Sequence, residues 1–203
     1  MTLSAFVAAY ILHLVAAAFP GPAILMAARI GVTEGLRTGV FLAIGLGLGA
    51  LFWAVAALFG LALLFQIAPA LLWGFKIAGG LFLMWIALQM WLHAGVPVPE
   101  GALAQARSPW SALKLGVITQ LSNPKPAVFF GAVFIGTVPP DASALSVGLL
   151  LTAIFFNEFI CNVLVARLFS YTRIRAAYTR LKSTIDRGFG GVLALFGIKI
   201  AAT

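Results

Sequence analysis

Two short stretches of this 203-residue chain hold residues that an uninterrupted apolar helix would not accommodate: Pro20-Gly21-Pro22 and Asn123-Pro124-Lys125-Pro126. Proline has no N–H, so each proline inside a helix leaves the carbonyl four residues earlier without its usual donor. Pro20 and Pro22 free the carbonyls of Ala16 and Ala18, and Pro124 and Pro126 free those of Gln120 and Ser122. Where a helix restarts after such a break it also exposes N–H groups at the positive end of its dipole. Free carbonyls suit an ammonium and free N–H groups suit a carboxylate, so two adjacent breaks suit a zwitterion. The plainer alternative is that the prolines only bend helices for packing. Two Pro-x-Pro elements at matching places in the chain, one flanked by Asn123 and Lys125, favour the first reading.

Charge deep inside apolar sequence is the second signal. Lys125 and Glu158 each fall near the middle of a long hydrophobic run. In hydrocarbon each would cost ~3 kcal/mol or more, so each should face the protein interior and a partner. Asn157 and Asn162 share the run of Glu158 and could line the same cavity. A purely structural Lys125–Glu158 ion pair is the alternative. Glu158 is the only acid deep within a span; Glu34, Glu100, Asp141 and Asp186 fall in connections or at helix ends. Burial favours a protonated carboxyl and an approaching ammonium favours an ionised one, so Glu158 is the candidate for proton coupling. His13 is a second candidate, able equally to relay protons or to hydrogen-bond a neighbouring helix. Asp186-Arg187, at the cytoplasmic start of the sixth span, could form a gate, but reads first as a solvated helix end. Gly45 and Gly49 form a small-residue face for close helix packing that could sit at a homodimer contact.

Signatures of catalysis are missing. There is no His-Glu-x-x-His zinc site, no Gly-x-Ser-x-Gly elbow and no phosphate-cradling loop. Two histidines, His13 and His93, and five acids make a catalytic metal site improbable, so no enzyme, metal or other cofactor is expected. The single cysteine, Cys161, permits no internal disulfide.

The elements that must position these residues follow from composition. Apolar residues make up 63% of the chain and charged residues 9%, against roughly 25% charged in a soluble domain. The bilayer must therefore be its solvent. Runs of about 20 apolar residues place spans at 3–28, 38–64, 69–92, 110–137, 144–169 and 185–202. Ser108-Pro109 should cap the fourth. The first hydrophobic run lacks a basic leader and continues past Ala18, so it reads as a retained span rather than a cleaved signal.

The net charge of +8 sits between apolar runs instead of among surface aromatics, which argues against nucleic acid. Arg29, Arg37, Arg107, Lys114, Arg173, Arg175, Arg180, Lys182 and Arg187 all flank the odd-numbered connections, while the even ones hold no base. By the positive-inside rule the odd connections face the cytoplasm and both termini face outward. Six spans in two groups of three, each opening on a Pro-x-Pro interruption, predict an inverted repeat. The halves are residues 1–92 and 110–203, joined by a cytoplasmic linker at 93–109, and together they form one transmembrane domain. Gly79-Gly80 and Gly190-Gly191 recur in the third and sixth spans.

Pro20-Gly21-Pro22, the glycine series Gly35, Gly39, Gly45 and Gly49, and Lys76-Ile77-Ala78-Gly79-Gly80 together resemble the lysine-exporter family. So do Leu121-Ser122-Asn123-Pro124-Lys125 with Phe129-Phe130, and Tyr178-x-Arg180 followed by Ile185-Asp186-Arg187. His13, seven residues before Pro20, is similar to the threonine-exporting members of its homoserine/threonine branch. Ala23 stands where the family commonly has Asn or Asp. The resemblance implies a secondary exporter of small amino acids in the bacterial inner membrane, driven by proton antiport. On that reading Pro20, Gly21, Pro22, Ala23, Asn123, Pro124, Lys125 and Asn162 contact substrate, and Glu158 and His13 handle protons. The competing reading is a membrane scaffold or assembly subunit in which the prolines and buried charges are structural.

Overall fold

A computed structural model describes residues 1–18, 21–60, 69–95, 106–123, 125–127, 129–130, 138–139 and 142–202. Every regular element among them is helical: α1 (Leu3–Ala18), α2 (Pro22–Glu34), α3 (Leu36–Leu58), α4 (Pro69–Leu92), α5 (Pro109–Leu121), α6 (Ala144–Ser170) and α7 (Thr172–Ala202). Residues 125–127 and 129–130 are helical as well. By length and composition α3 and α6 can each cross a membrane, and the bent pair α1–α2 makes a third such unit.

The first expected span is divided as the prolines require. α1 stops at Ala18, and α2 starts on Pro22, at the position where a missing N–H leaves nothing unsatisfied. The two axes differ by 53°. α2 then runs past residue 28 to Glu34 and turns into α3 through Gly35 alone, whose φ of 86° a side chain would strain. The fourth expected span is divided too. Ser108 Oγ accepts from Ser111 N at 3.2 Å with Pro109 opening α5, which ends at Leu121 before the helix resumes at Lys125. Pro20, Pro124 and residues 131–137 lie outside the described residues.

One expected boundary is wrong by more than three helical turns. The basic segment from Arg173 to Lys182, read as a connection, belongs to α7, which begins at Thr172 instead of 185. No glycine or proline falls between Thr172 and Arg187, and the alanine, arginine, lysine and leucine there are good helix formers. The change from basic to apolar sequence is marked by a kink at Leu181, whose φ of −111° and ψ of 15° leave the helical region.

The most extensive contacts pair α3 with α5, α4 with α7, α3 with α6, and α1 and α2 with α6. One core cluster gathers Met26 and Ile30 of α2, Leu42 and Leu46 of α3, Leu83 and Met90 of α4, and Leu193 of α7. A second joins Ala9 of α1, Trp53 of α3, Leu150 and Ile154 of α6, and Phe130. Glycine sets the closest approaches. A Cβ on Gly45 would collide with the Leu113 carbonyl, and one on Gly116 with the Leu42 carbonyl, so α3 and α5 cross backbone to backbone. Gly49 meets Gln120 on the same face. The glycine face that could have served a dimer is thus occupied within the chain. Gly80 packs on Gly197, whereas Gly190 packs on Trp91.

Large apolar side chains cover the outside, among them Leu81 and Leu88 of α4, Leu149 and Leu164 of α6, and Leu195 and Ile198 of α7. His13, Gln120, Asn123, Asn157, Glu158 and Asn162 are buried inside. That inversion of the soluble pattern belongs to a protein whose solvent is hydrocarbon, where polar groups must find partners within the bundle.

Candidate functional site

The carbonyls released by the prolines are the foundation of the site. Ala16 O, which a proline at position 20 cannot serve, accepts from Lys125 Nζ at 2.7 Å. Gln120 O, which a proline at position 124 cannot serve, accepts from Trp53 Nε1 at 3.2 Å and from Asn123 N at 3.2 Å. The first of these bonds reaches from one break to the other, so the two interruptions lie side by side. Asn123 Oδ1 accepts from Lys125 N at 3.1 Å and so closes the turn that restarts the helix. This local geometry holds the lysine stem beside the α1 terminus.

Next to that bond stands the buried carboxylate. Glu158 is 5% exposed and projects from α6, one turn before Asn162. Asn162 Nδ2 donates to Glu158 O at 2.8 Å and to its Oε1 at 3.1 Å. The Gln120 side chain also hydrogen-bonds the carboxylate, and Lys125 lies within electrostatic range of it. Several polar atoms here have spare capacity: Gln120 Oε1, Asn123 Nδ2 and Asn162 Oδ1 are buried with no hydrogen-bond partner among the described residues. Each unsatisfied group of that kind costs about 1–3 kcal/mol, an outlay that a binding cavity explains better than a packed core does.

His13 lies on α1, less than a turn before Ala16. Its ring stacks on Phe130 with centroids 5.3 Å apart and meets Phe129 at 5.7 Å. Its Nδ1 is 3.4 Å from Asn157 Nδ2, which ties α1 to α6. His13 is therefore held between aromatic faces at the edge of the polar cluster.

A second set of charges closes the other end of the bundle. Glu34 accepts from Arg107 through both oxygens, Oε1 to Nε and Oε2 to the backbone N, each at 3.0 Å. Asp186 is bound by Lys182 Nζ at 3.0 Å and by the Tyr178 hydroxyl at 2.6 Å. Asp186 is only 4% exposed, so the solvated helix end expected there is a buried acceptor instead. The correction has a simple cause: α7 starts early enough to bring Lys182 one turn and Tyr178 two turns before Asp186. Burial, reinforced by Asp186, pushes the Tyr178 hydroxyl above the ordinary tyrosine value and keeps it a donor.

Of the residues singled out from sequence, His13, Asn123, Lys125, Glu158 and Asn162 are brought together. Gly21 is the extended residue preceding α2, and Pro22 and Ala23 form the buried first turn of that helix. Pro20 and Pro124 lie outside the described residues, as does the side chain of Lys76. Gln120 and Trp53 escaped the sequence reading as side chains. Gln120 had a legible signal, being a polar residue four places before Pro124 in an apolar run; Trp53 had none.

The sequence profile of the LysE type translocators matches residues 14–203. The threonine efflux protein of Escherichia coli (strain K12) is 30% identical over 199 residues, covering 96% of this chain and 96% of that protein. That of Salmonella typhi is 31% identical over 193 residues, covering 93% of each. A leucine efflux protein of Klebsiella pneumoniae subsp. pneumoniae is 28% identical over 150 residues, covering 71% of this chain and 70% of that protein. No solved structure matches the chain.

Proposed function

The chain belongs to the LysE type translocator family, and we propose that it exports small neutral amino acids, threonine- or homoserine-like, from the bacterial cytoplasm in exchange for protons. As a translocator it moves its substrate without altering it. The observation that carries the reading is the bond from Lys125 Nζ to Ala16 O, which joins the two helix breaks beside Glu158.

In this reading the substrate carboxylate sits at the start of α2, where Ala23 offers a first-turn N–H, and against the Lys125 ammonium. The substrate ammonium takes acceptors that the cluster leaves free, Asn162 Oδ1 and Gln120 Oε1. Glu158 binds a proton on one side of the membrane and gives it up on the other as substrate passes in the opposite direction. His13, stacked and bonded to Asn157, is the reserve proton site. The relatives' names support amino acids as the cargo.

The architecture proposed is six spans in two inverted halves, residues 1–92 and 110–203, with α1–α2 and the divided segment after Pro109 as the matched broken spans. The pairing of elements supports it. Exchanging first for fourth, second for fifth and third for sixth span turns the contacts of the broken span α1–α2 with α6 into the contact of the broken span opened by α5 with α3. The same exchange maps α3–α6 and α4–α7 onto themselves. A pseudo-two-fold axis in the membrane plane would produce this pattern. The distribution of lysine and arginine supports an orientation with both termini outside. A Val98→Cys protein lacking Cys161 should then resist an impermeant maleimide on intact cells and react in inverted vesicles. Labelling from outside would overturn the orientation and the repeat.

Counterflow in proteoliposomes tests the function. Vesicles preloaded with unlabelled threonine, homoserine or leucine should accumulate the labelled compound transiently and saturably. If none of the common amino acids gives counterflow above protein-free vesicles, the transport reading falls and the scaffold reading replaces it.

A further inference from the structure

A cavity apart from the helix breaks lies among the basic ends of the helices. It encloses about 310 Å³ between α2, α4 and the start of α5, and its walls include Arg29, Arg107, Gln89, His93, Met26 and Leu115. That volume lies at the lower end of small-ligand sites. Its polar lining holds two guanidinium groups and no carboxylate.

The acids nearest to Arg29 are already committed. Glu34 is held through both oxygens by Arg107, and Asp186 by Lys182 and Tyr178. Arg29 forms no ion pair among the described residues, and its buried Nε has no hydrogen-bond partner there. A guanidinium is a rigid fork that matches the two oxygens of a carboxylate. Below it, Met26 and Leu115 make an apolar floor for a short side chain. His93 Nδ1 is 2.8 Å from the Gln89 backbone carbonyl, and both residues line the cavity.

We propose that this cavity is a loading site in which Arg29 captures the carboxylate of the exported amino acid at the cytoplasmic mouth, before it reaches the helix breaks. The proposal rests on the export reading for the ligand's identity. The shape and charge of the cavity stand independently of it. Substrate held here would lie beside the Glu34–Arg107 pair, which joins the end of α2 to the segment just before α5, and beside Asp186, whose bond from Tyr178 crosses the kink of α7.

The test uses a Gln89→Cys protein on a Cys161→Ser background in inverted vesicles. Maleimide labelling of that cysteine should be slowed by L-threonine and by 3-hydroxybutanoate, which keeps the carboxylate and lacks the amine. It should not be slowed by 1-aminopropan-2-ol, which keeps the amine and lacks the carboxylate. Adding Arg29→Gln should raise the concentration needed for protection by about tenfold or more, the loss expected for a charge-assisted bidentate contact. Leu115→Phe, which fills the cavity without removing charge, should abolish protection, and serves as the deciding variant if Arg29→Gln fails to fold. Protection equal in Arg29→Gln and the parent, protection by the amine alone, or no protection by any carboxylate overturns the proposal. Counterflow of the unmutated protein is run in parallel. Its absence sinks the export reading, while carboxylate protection then decides the site by itself.

Discussion

In proteoliposomes reconstituted with the Glu158→Gln protein, an imposed proton gradient should drive no net amino-acid movement beyond the leak of protein-free vesicles, while threonine–threonine exchange continues. The amide preserves the size of the side chain and can keep its bonds to Asn162 and Gln120, so the cavity should survive. What it loses is the ability to bind and release a proton. Exchange needs only that the loaded carrier reorient, and it asks nothing of a titrating group. Net export against a gradient does. The measurement is the ratio of gradient-driven flux to exchange flux in the same vesicles. Gradient-driven transport at the unmutated rate would remove Glu158 from the coupling role and leave His13 as the remaining deeply placed candidate.

Lys125→Met should be more damaging, abolishing exchange and net transport together. Methionine fills a similar volume and cannot donate, so the Ala16 carbonyl loses its 2.7 Å partner. An orphaned buried carbonyl costs about 1–3 kcal/mol, and Glu158 also loses the ammonium within electrostatic range of it. The protein should therefore also unfold at a visibly lower temperature in detergent. The double variant Lys125→Met with Glu158→Gln separates the two effects. It restores electrical balance and should recover much of the lost stability, yet stay inactive because the substrate-facing charge is gone. Exchange at the original rate in either variant would show that Lys125 serves the fold alone.

The polar cluster was legible because bilayers make polar residues conspicuous. Proline chemistry alone named Ala16 O and Gln120 O as groups in need of donors. Lys125 and Glu158 stood out because few reasons exist to place charge in an apolar run. The donor that found Gln120 O was not legible: Trp53 lies in α3, 67 residues away, and nothing in its neighbourhood marks it. The basic half of α7 is not legible as helix for a different reason. Hydropathy locates the part of a helix that sits in lipid and says nothing of how far the helix continues into water. On hydropathy alone the first 13 residues of α7 read as a loop, and the burial of Asp186 follows from their being helical. Gly45 announced a close crossing correctly, but small-residue spacing does not reveal whether the facing helix comes from the same chain.

The neighbourhood of Lys125 and Glu158 also has an electrical consequence. With the carboxyl ionised, the two side chains together bear no net charge; once it is protonated, they bear one positive charge. A zwitterionic passenger adds nothing to either total. On the proton-exchange proposal, only the protonated, returning form of the carrier then does work in the membrane potential, up to ~2.3 kcal/mol per 100 mV for a complete crossing. In a cell whose interior is negative that work favours inward movement of the protonated site. The resting voltage would thus help to reset the protein after each passenger is delivered, even when the pH difference across the membrane is small.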